Sequence, residues 1–224
     1  MGANWIQALG AALLLSFAAC AGEATASSMK PVILLTAFEP FGGSSFNTSW
    51  DVVSAFEGRE IAGHVIRTAR LKVVYDAIGG PLAEAIEKTK PVAVVSFGEG
   101  TAVVQIERVA KNGYHAARPP DNDGKPPPRA TIIPGAAESI PSGLPVDAIL
   151  AKLAAAAKIQ ASASSDAGGY LCNECFYRLM AQKNAPATRG FVHLPIVPPS
   201  DMARRKQLDA AVRIIVETIV EKWK

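Results

Sequence analysis

The segment AGGYLCNECFYRLM, Ala167–Met180, sets Cys172 and Cys175 one helical turn apart, just after two glycines. Ser164–Gly169 is small, polar and flexible, so a helix is predicted to begin at about Tyr170 to Cys172. A cysteine in the first turn of a helix meets unpaired backbone N–H groups and the positive end of the macrodipole, and both favour a negatively charged sulfur. Cys172 is therefore placed to be a nucleophile. The same N–H groups suit the oxyanion that forms when a thiolate attacks an amide carbonyl. Cys175, one turn further in, is expected to pack with Phe176 and Leu179. Three readings compete: two small buried apolar side chains; a Cys-x-x-Cys dithiol in which Cys172 attacks and Cys175 resolves; or a lone nucleophile, Cys172, working with a histidine and an acid.

The third reading needs a base, and GFVHLP supplies His193 in the middle of an apolar strand just downstream of the cysteine helix. A neutral core histidine is the competing explanation of such a residue. An imidazole base needs an orienting acid. Among acids embedded in apolar, strand-like sequence, Glu107 in VVQIERVA is the best candidate. His64, His115 and His193 each lack a second ligand at helical spacing, and no phosphate-binding glycine motif occurs, so neither a metal nor an organic cofactor is expected.

Positioning these groups requires a scaffold. Short apolar runs at Pro31–Thr36, Pro91–Phe97, Ile159–Ser162 and Phe191–Ile196 alternate with helical spacing over Trp50–Phe56, Asp76–Lys88, Val146–Lys158, Cys172–Gln182 and Met202–Lys222. Near-continuous apolar strands separated by helices predict a single-domain α/β fold, a mostly parallel twisted sheet with helices on both faces. In such folds the chemistry sits beyond the carboxyl ends of the strands. Arg118–Arg129, RPPDNDGKPPPR, is dense in Pro, Asp and Gly and reads as an irregular loop that borders a pocket or joins two elements.

The chain has 224 residues, 49% hydrophobic and 19% charged, enough for one sizeable core. Its formal charge of +3 is spread among nearly as many acids as bases, which argues against a nucleic-acid partner. Three cysteines make no disulfide framework. Residues 1–28 differ from the rest: an apolar run from Ala8 to Ala21, too short to span a bilayer, is followed by small residues and contains Cys20 in FAAC. One reading is a signal or lipoprotein leader, giving an exported or lipid-anchored protein, although no Lys or Arg precedes the apolar run. The other is a mis-assigned start, with Met29 the true one and the protein cytoplasmic. Residues 29–224 are the expected catalytic domain under both.

Several blocks together resemble a known family. They are TAFEPFGG at Thr36–Gly43 with Asn47 and Ser49 after it, IERVAKN at Ile106–Asn112, RPPDNDG from Arg118, SGLPVDAI from Ser142, SSDAGGYLCNECFY at Ser164–Tyr177 and GFVHLP at Gly190–Pro195. In this order they are similar to pyroglutamyl-peptidase I, a family of cysteine peptidases, over Met29 to about Pro195. The resemblance implies Cys172 as nucleophile, His193 as base and then acid, and Glu107 as the acid that orients the imidazole. It also implies peptides with an N-terminal pyroglutamate as substrates, apolar ring walls from Phe38 and Phe41, Arg118 near the oxyanion, no cofactor, and a homo-oligomer, dimer or tetramer.

One loop departs from the family pattern. Where the family usually reads Gly-Gln-Ala followed by Gly-Gly-Arg, this chain reads Gly98-Glu99-Gly100-Thr101-Ala102-Val103. An acid there places charge beside a neutral lactam unless Glu99 points elsewhere and only backbone groups bind. A dithiol oxidoreductase and a pyroglutamyl-peptide-binding pseudoenzyme therefore stand as alternatives to the peptidase.

Overall fold

Val32–Phe38 (β1) is seven residues of nearly unbroken apolar sequence, and all but the first are buried, as a strand covered on both faces requires. In the computed structural model, which describes residue 1, residues 30–156 and residues 159–223, it lies near the middle of a seven-stranded sheet. The readings made for the leader, the Met29 start, Cys20 and Lys158 fall outside the described residues.

The other strands are Glu60–Ile61 (β2), His64–Leu71 (β3), Ala93–Thr101 (β4), Val104–Glu107 (β5), Val109–Lys111 (β6), Ser139–Pro141 (β7), Ala161–Ser164 (β8) and Arg189–Pro195 (β9). The sheet order is β2-β3-β1-β4-β9-β5-β8, while β6 and β7 form a separate antiparallel pair. β3, β1, β4 and β9 run parallel, and β8 is parallel to β5. The β5–β9 and β2–β3 pairings are antiparallel. The sheet is thus mostly parallel, as the alternating pattern predicts.

Among the described residues five helices cover it: Thr48–Ser54 (α1), Gly79–Thr89 (α2), Val146–Ala155 (α3), Leu171–Ala181 (α4) and Met202–Glu221 (α5). Val52 and Val53 of α1, Ile149 and Leu153 of α3 and the stripe Leu208, Ala211, Val212, Ile215 and Ile219 of α5 fill the core on one face. Leu82 and Ile86 of α2 and Leu171, Phe176 and Leu179 of α4 fill the other. α1 is capped by Asn47, whose Oδ1 accepts from Ser49 N at 2.9 Å, and α5 by Asp201, whose Oδ1 accepts from Arg204 N at 3.1 Å. Among the described residues no helix is long and apolar enough to cross a membrane.

α2 begins at Gly79, not Asp76. Asp76 adopts a positive φ of 60°, and its carboxylate pairs with Arg129 and Arg178, which ends any helical continuation there. The Arg118–Arg129 segment is irregular and is folded around buried Asp121, which accepts from Lys125 N and Tyr75 N. α4 is buried nearly all round, because the chain from Lys111 to Ala137 crosses its outer side. Asn173 bonds Lys111 and Gly113, and Tyr177 donates to the Ala137 carbonyl.

Candidate active site

β4 and β9 run side by side with Gly98 opposite His193, and β9 pairs on its other edge with β5, placing Gln105 opposite His193. Side chains directly opposite one another in a ladder share a face of the sheet, so His193, Gln105 and, two residues on, Glu107 all point toward α4. His193 Nδ1 and Glu107 Oε1 are 2.8 Å apart. Glu107 has no solvent exposure, and its other oxygen has no partner among the described residues, so its charge rests on the imidazole. Burial by itself pushes the His193 imidazole down. The charge of Cys172 and a hydrogen bond to it, with those of Glu107, outweigh burial and push it up to about 10. The carboxylate and the sulfur thus both favour a protonated ring.

Cys172 enters from above, at the second residue of α4. The N-cap, Tyr170, is extended and no side chain caps the helix start, so the first-turn N–H groups remain available, as the sequence predicts. Gly168, at φ 78°, and Gly169 make the turn into the helix; a Cβ on Gly169 would stand 2.5 Å from His115 N, so that residue must be glycine for the two segments to touch. Cys175 is fully buried among apolar side chains, and burial pushes its thiol up to about 12 against opposing hydrogen bonds from Ser96 and Thr36. It is packing, as expected, and a poor partner for dithiol exchange.

Cys172 and His193 line one cavity of about 390 Å³, together with Phe41, Glu99, Gln105, Arg118, Tyr170 and Ile196 among others. Phe41 is half-buried, with its ring 6.2 Å from that of Tyr170. Arg118 is exposed and sits against Gly168, whose added Cβ would lie 3.1 Å from Nη2. Phe38 is placed differently: 3% exposed, it belongs to the core cluster against which Phe41 packs and does not line the cavity. It ends β1 on an inward face, so it supports the wall from behind.

The pleat also resolves the Glu99 question. Gly98 faces Cys172, so its neighbour turns to the opposite face, where Glu99 Oε2 accepts from Thr48 N at 2.5 Å at the start of α1. Burial raises its pKa, while the Thr48 hydrogen bonds and Arg205 oppose that. The carboxylate is an anchor for α1, bonded on the face away from Cys172, while Glu99 itself still borders the cavity.

Sequence reasoning passed over Gly98, Gln105, Tyr170 and Ile196 as site residues. Gln105 had a signal, since it stands two residues before Glu107 in a strand. Gly98 carries a further consequence: a Cβ there would lie 2.7 Å from Cys172 Sγ and 2.9 Å from the Phe191 ring. Gly98→Ala is expected to displace the thiol and to lower kcat/KM about 10²-fold while the protein still unfolds cooperatively, which steady-state rates and thermal melting would check.

A thiol at an uncapped helix start, an imidazole beside it and a buried carboxylate behind that are the parts of an acyl-transfer hydrolase carried on an α/β sheet. A family model described as pyroglutamyl peptidase matches residues 31–224. The pyrrolidone-carboxylate peptidase of Gloeobacter violaceus is 44% identical over 170 residues, covering 74% of this chain and 82% of that one. That of Klebsiella pneumoniae is 36% identical over 195 residues, covering 84% and 90%. Among solved structures, a mutant pyrrolidone carboxyl peptidase from Pyrococcus furiosus superposes with a TM-score of 0.79 at 30% identity, covering 86% of this chain and all of that one. Pyroglutamyl peptidase I from Bacillus amyloliquefaciens gives 0.78 at 30% identity, covering 85% and 95%. The chain belongs to the pyroglutamyl peptidase family.

Proposed function

We propose that this protein hydrolyses the bond joining an N-terminal pyroglutamyl residue to the rest of a peptide, with Cys172, His193 and Glu107 as its catalytic groups. The observation that carries the reading is the 2.8 Å His193–Glu107 bond, buried beneath a cavity that Cys172 also lines. The Cys172 thiolate attacks the pyroglutamyl carbonyl, and the negative charge that develops on oxygen falls to the first-turn N–H groups of α4, with Arg118 nearby. Protonated His193 gives its proton to the departing amine, leaving a thioester and a free shortened peptide. His193 then takes a proton from water, which attacks the thioester and releases pyroglutamate. Glu107 keeps the imidazole proton on Nδ1, so that Nε2 faces the chemistry.

Pyroglutamate is a small uncharged lactam, suited to an apolar recess with a few fixed polar groups. Phe41 and Tyr170 offer that recess, Phe38 backs it, and the Glu99 carboxylate at its border is engaged by Thr48 N of α1. The family model's match over residues 31–224 supports residues 29–224 as the catalytic unit; assembly into a dimer or tetramer is part of the proposal, and light scattering would measure it.

The test is release of free pyroglutamate from pyroglutamyl peptides under reducing conditions, beside the same peptides beginning with proline or glutamine. Cleavage confined to the pyroglutamyl series is expected; equal cleavage of the proline series, or none of any, contradicts the reading.

The pH profile follows from His193. Because its pKa is raised, the ring stays protonated through neutral pH and loses its proton only as pH rises through about 10. The protonated form donates to the leaving amine, so kcat/KM is expected to hold through mildly alkaline pH and to fall beyond it. An alkaline limb at neutral pH would contradict the assignment.

A further inference from the structure

A five-membered lactam does not fill about 390 Å³, so the cavity has room for part of the residue that follows it. This inference rests on the proposed function. His193 must protonate the departing amine, which therefore lies on the His193 side of the cavity, and so does the residue bearing that amine. Two side chains without a role in the reaction line the cavity there.

Gln105 stands directly across the β5–β9 ladder from His193, on the same face and about 5 Å away between Cβ atoms. It is half-buried, and its carboxamide makes no hydrogen bond to another described residue. A carboxamide offers both a donor and an acceptor, which matches a peptide unit. Ile196 follows His193 by three residues, just past the end of β9, and is 52% exposed although large and apolar. Thr101, also in the lining, has its hydroxyl bonded to the Val103 carbonyl at 2.6 Å, so it presents no free donor there. All three are uncharged.

We propose that Gln105 and Ile196 form the subsite for the residue after pyroglutamate, Gln105 pairing with its backbone amide and Ile196 packing on its side chain. The favoured substrates are then pyroglutamyl peptides with an apolar second residue. An acidic second residue would lose hydration against Ile196, and none of Gln105, Thr101 and Ile196 carries a charge to offset that loss.

The experiment compares kcat/KM for pyroglutamyl-leucine amide, pyroglutamyl-alanine amide, pyroglutamyl-glutamate amide and unsubstituted pyroglutamyl amide, for wild type, Ile196→Ser and Gln105→Ala. Wild type is expected to favour the leucine over the glutamate substrate about tenfold. Ile196→Ser should bring the leucine-to-alanine ratio close to one, and Gln105→Ala should lower the ratio of alanine substrate to unsubstituted amide about tenfold. Ratios that match wild type in both variants overturn the subsite while leaving the peptidase intact. No cleavage of any substrate by wild type overturns the peptidase reading itself, and the subsite with it.

Discussion

Cys172→Ser is expected to lower turnover of a pyroglutamyl amide by on the order of 10³-fold or more, whereas Cys175→Ser keeps most of it. A hydroxyl in place of the Cys172 sulfur cannot rest as an anion beside His193 at neutral pH, so the nucleophile is lost although the cavity keeps its shape. Cys175 is fully buried and lies against Ser96 and Thr36, where a serine hydroxyl also finds partners. Its replacement should therefore cost about 1 kcal/mol of stability and little activity. The pair of variants separates a peptidase from a dithiol enzyme, which needs both sulfurs. Equal loss in the two would count against a single nucleophile.

Glu107→Gln is expected to lower kcat/KM by at least about 10²-fold and to move the alkaline limb to lower pH. A carboxamide can turn its NH₂ toward Nδ1, which favours the tautomer with the proton on Nε2, pointing at the sulfur; such a ring cannot accept the thiol proton. It also removes the negative charge that helps hold His193 protonated, so the imidazole loses its proton at a lower pH. Glu107 is the cleaner position to test than His193. Removing His193 would strand a fully buried carboxylate whose second oxygen has no partner among the described residues, at a cost of about 3–5 kcal/mol. Rates across pH for Glu107→Gln, with thermal melting as the control for folding, would check both parts. An unchanged limb would show that Glu107 does not set the charge of the ring.

The parts of the fold legible in sequence were those with strong periodicity. β1 and β9 read as continuous apolar runs because both faces are covered, and α5 reads as a stripe because only one is. β3 was not legible: HVIRTARL lies toward the edge of the sheet, only two of its eight residues are buried, and its two arginines reach solvent. β5 is four residues long, and nothing local distinguishes its antiparallel placement beside β9 from a parallel one. That placement nevertheless makes the site, since it brings Glu107 and Gln105 to His193.

Within the site, residues with a chemical signature were legible and those chosen by shape were not. Cys172 announced itself by the glycines and the helix start, His193 by its apolar strand, and Glu107 by the same kind of context. Gly98 matters only because a sulfur and an aromatic ring lie against it, which is a tertiary fact. Phe38 and Phe41, three residues apart in one loop, could not be told apart until the end of β1 fixed which ring faces the core. The direction of Glu99 likewise follows from the pleat of β4, and the sequence alone left both faces open to it.

The proposed chemistry passes through a covalent intermediate on one named sulfur. A single-turnover reaction of the protein with an activated pyroglutamyl ester, quenched in acid and digested, should yield a peptide carrying the pyroglutamyl group as a thioester on Cys172, absent from Cys172→Ser. Turnover with no acylated cysteine, or with the adduct on Cys175, would contradict it.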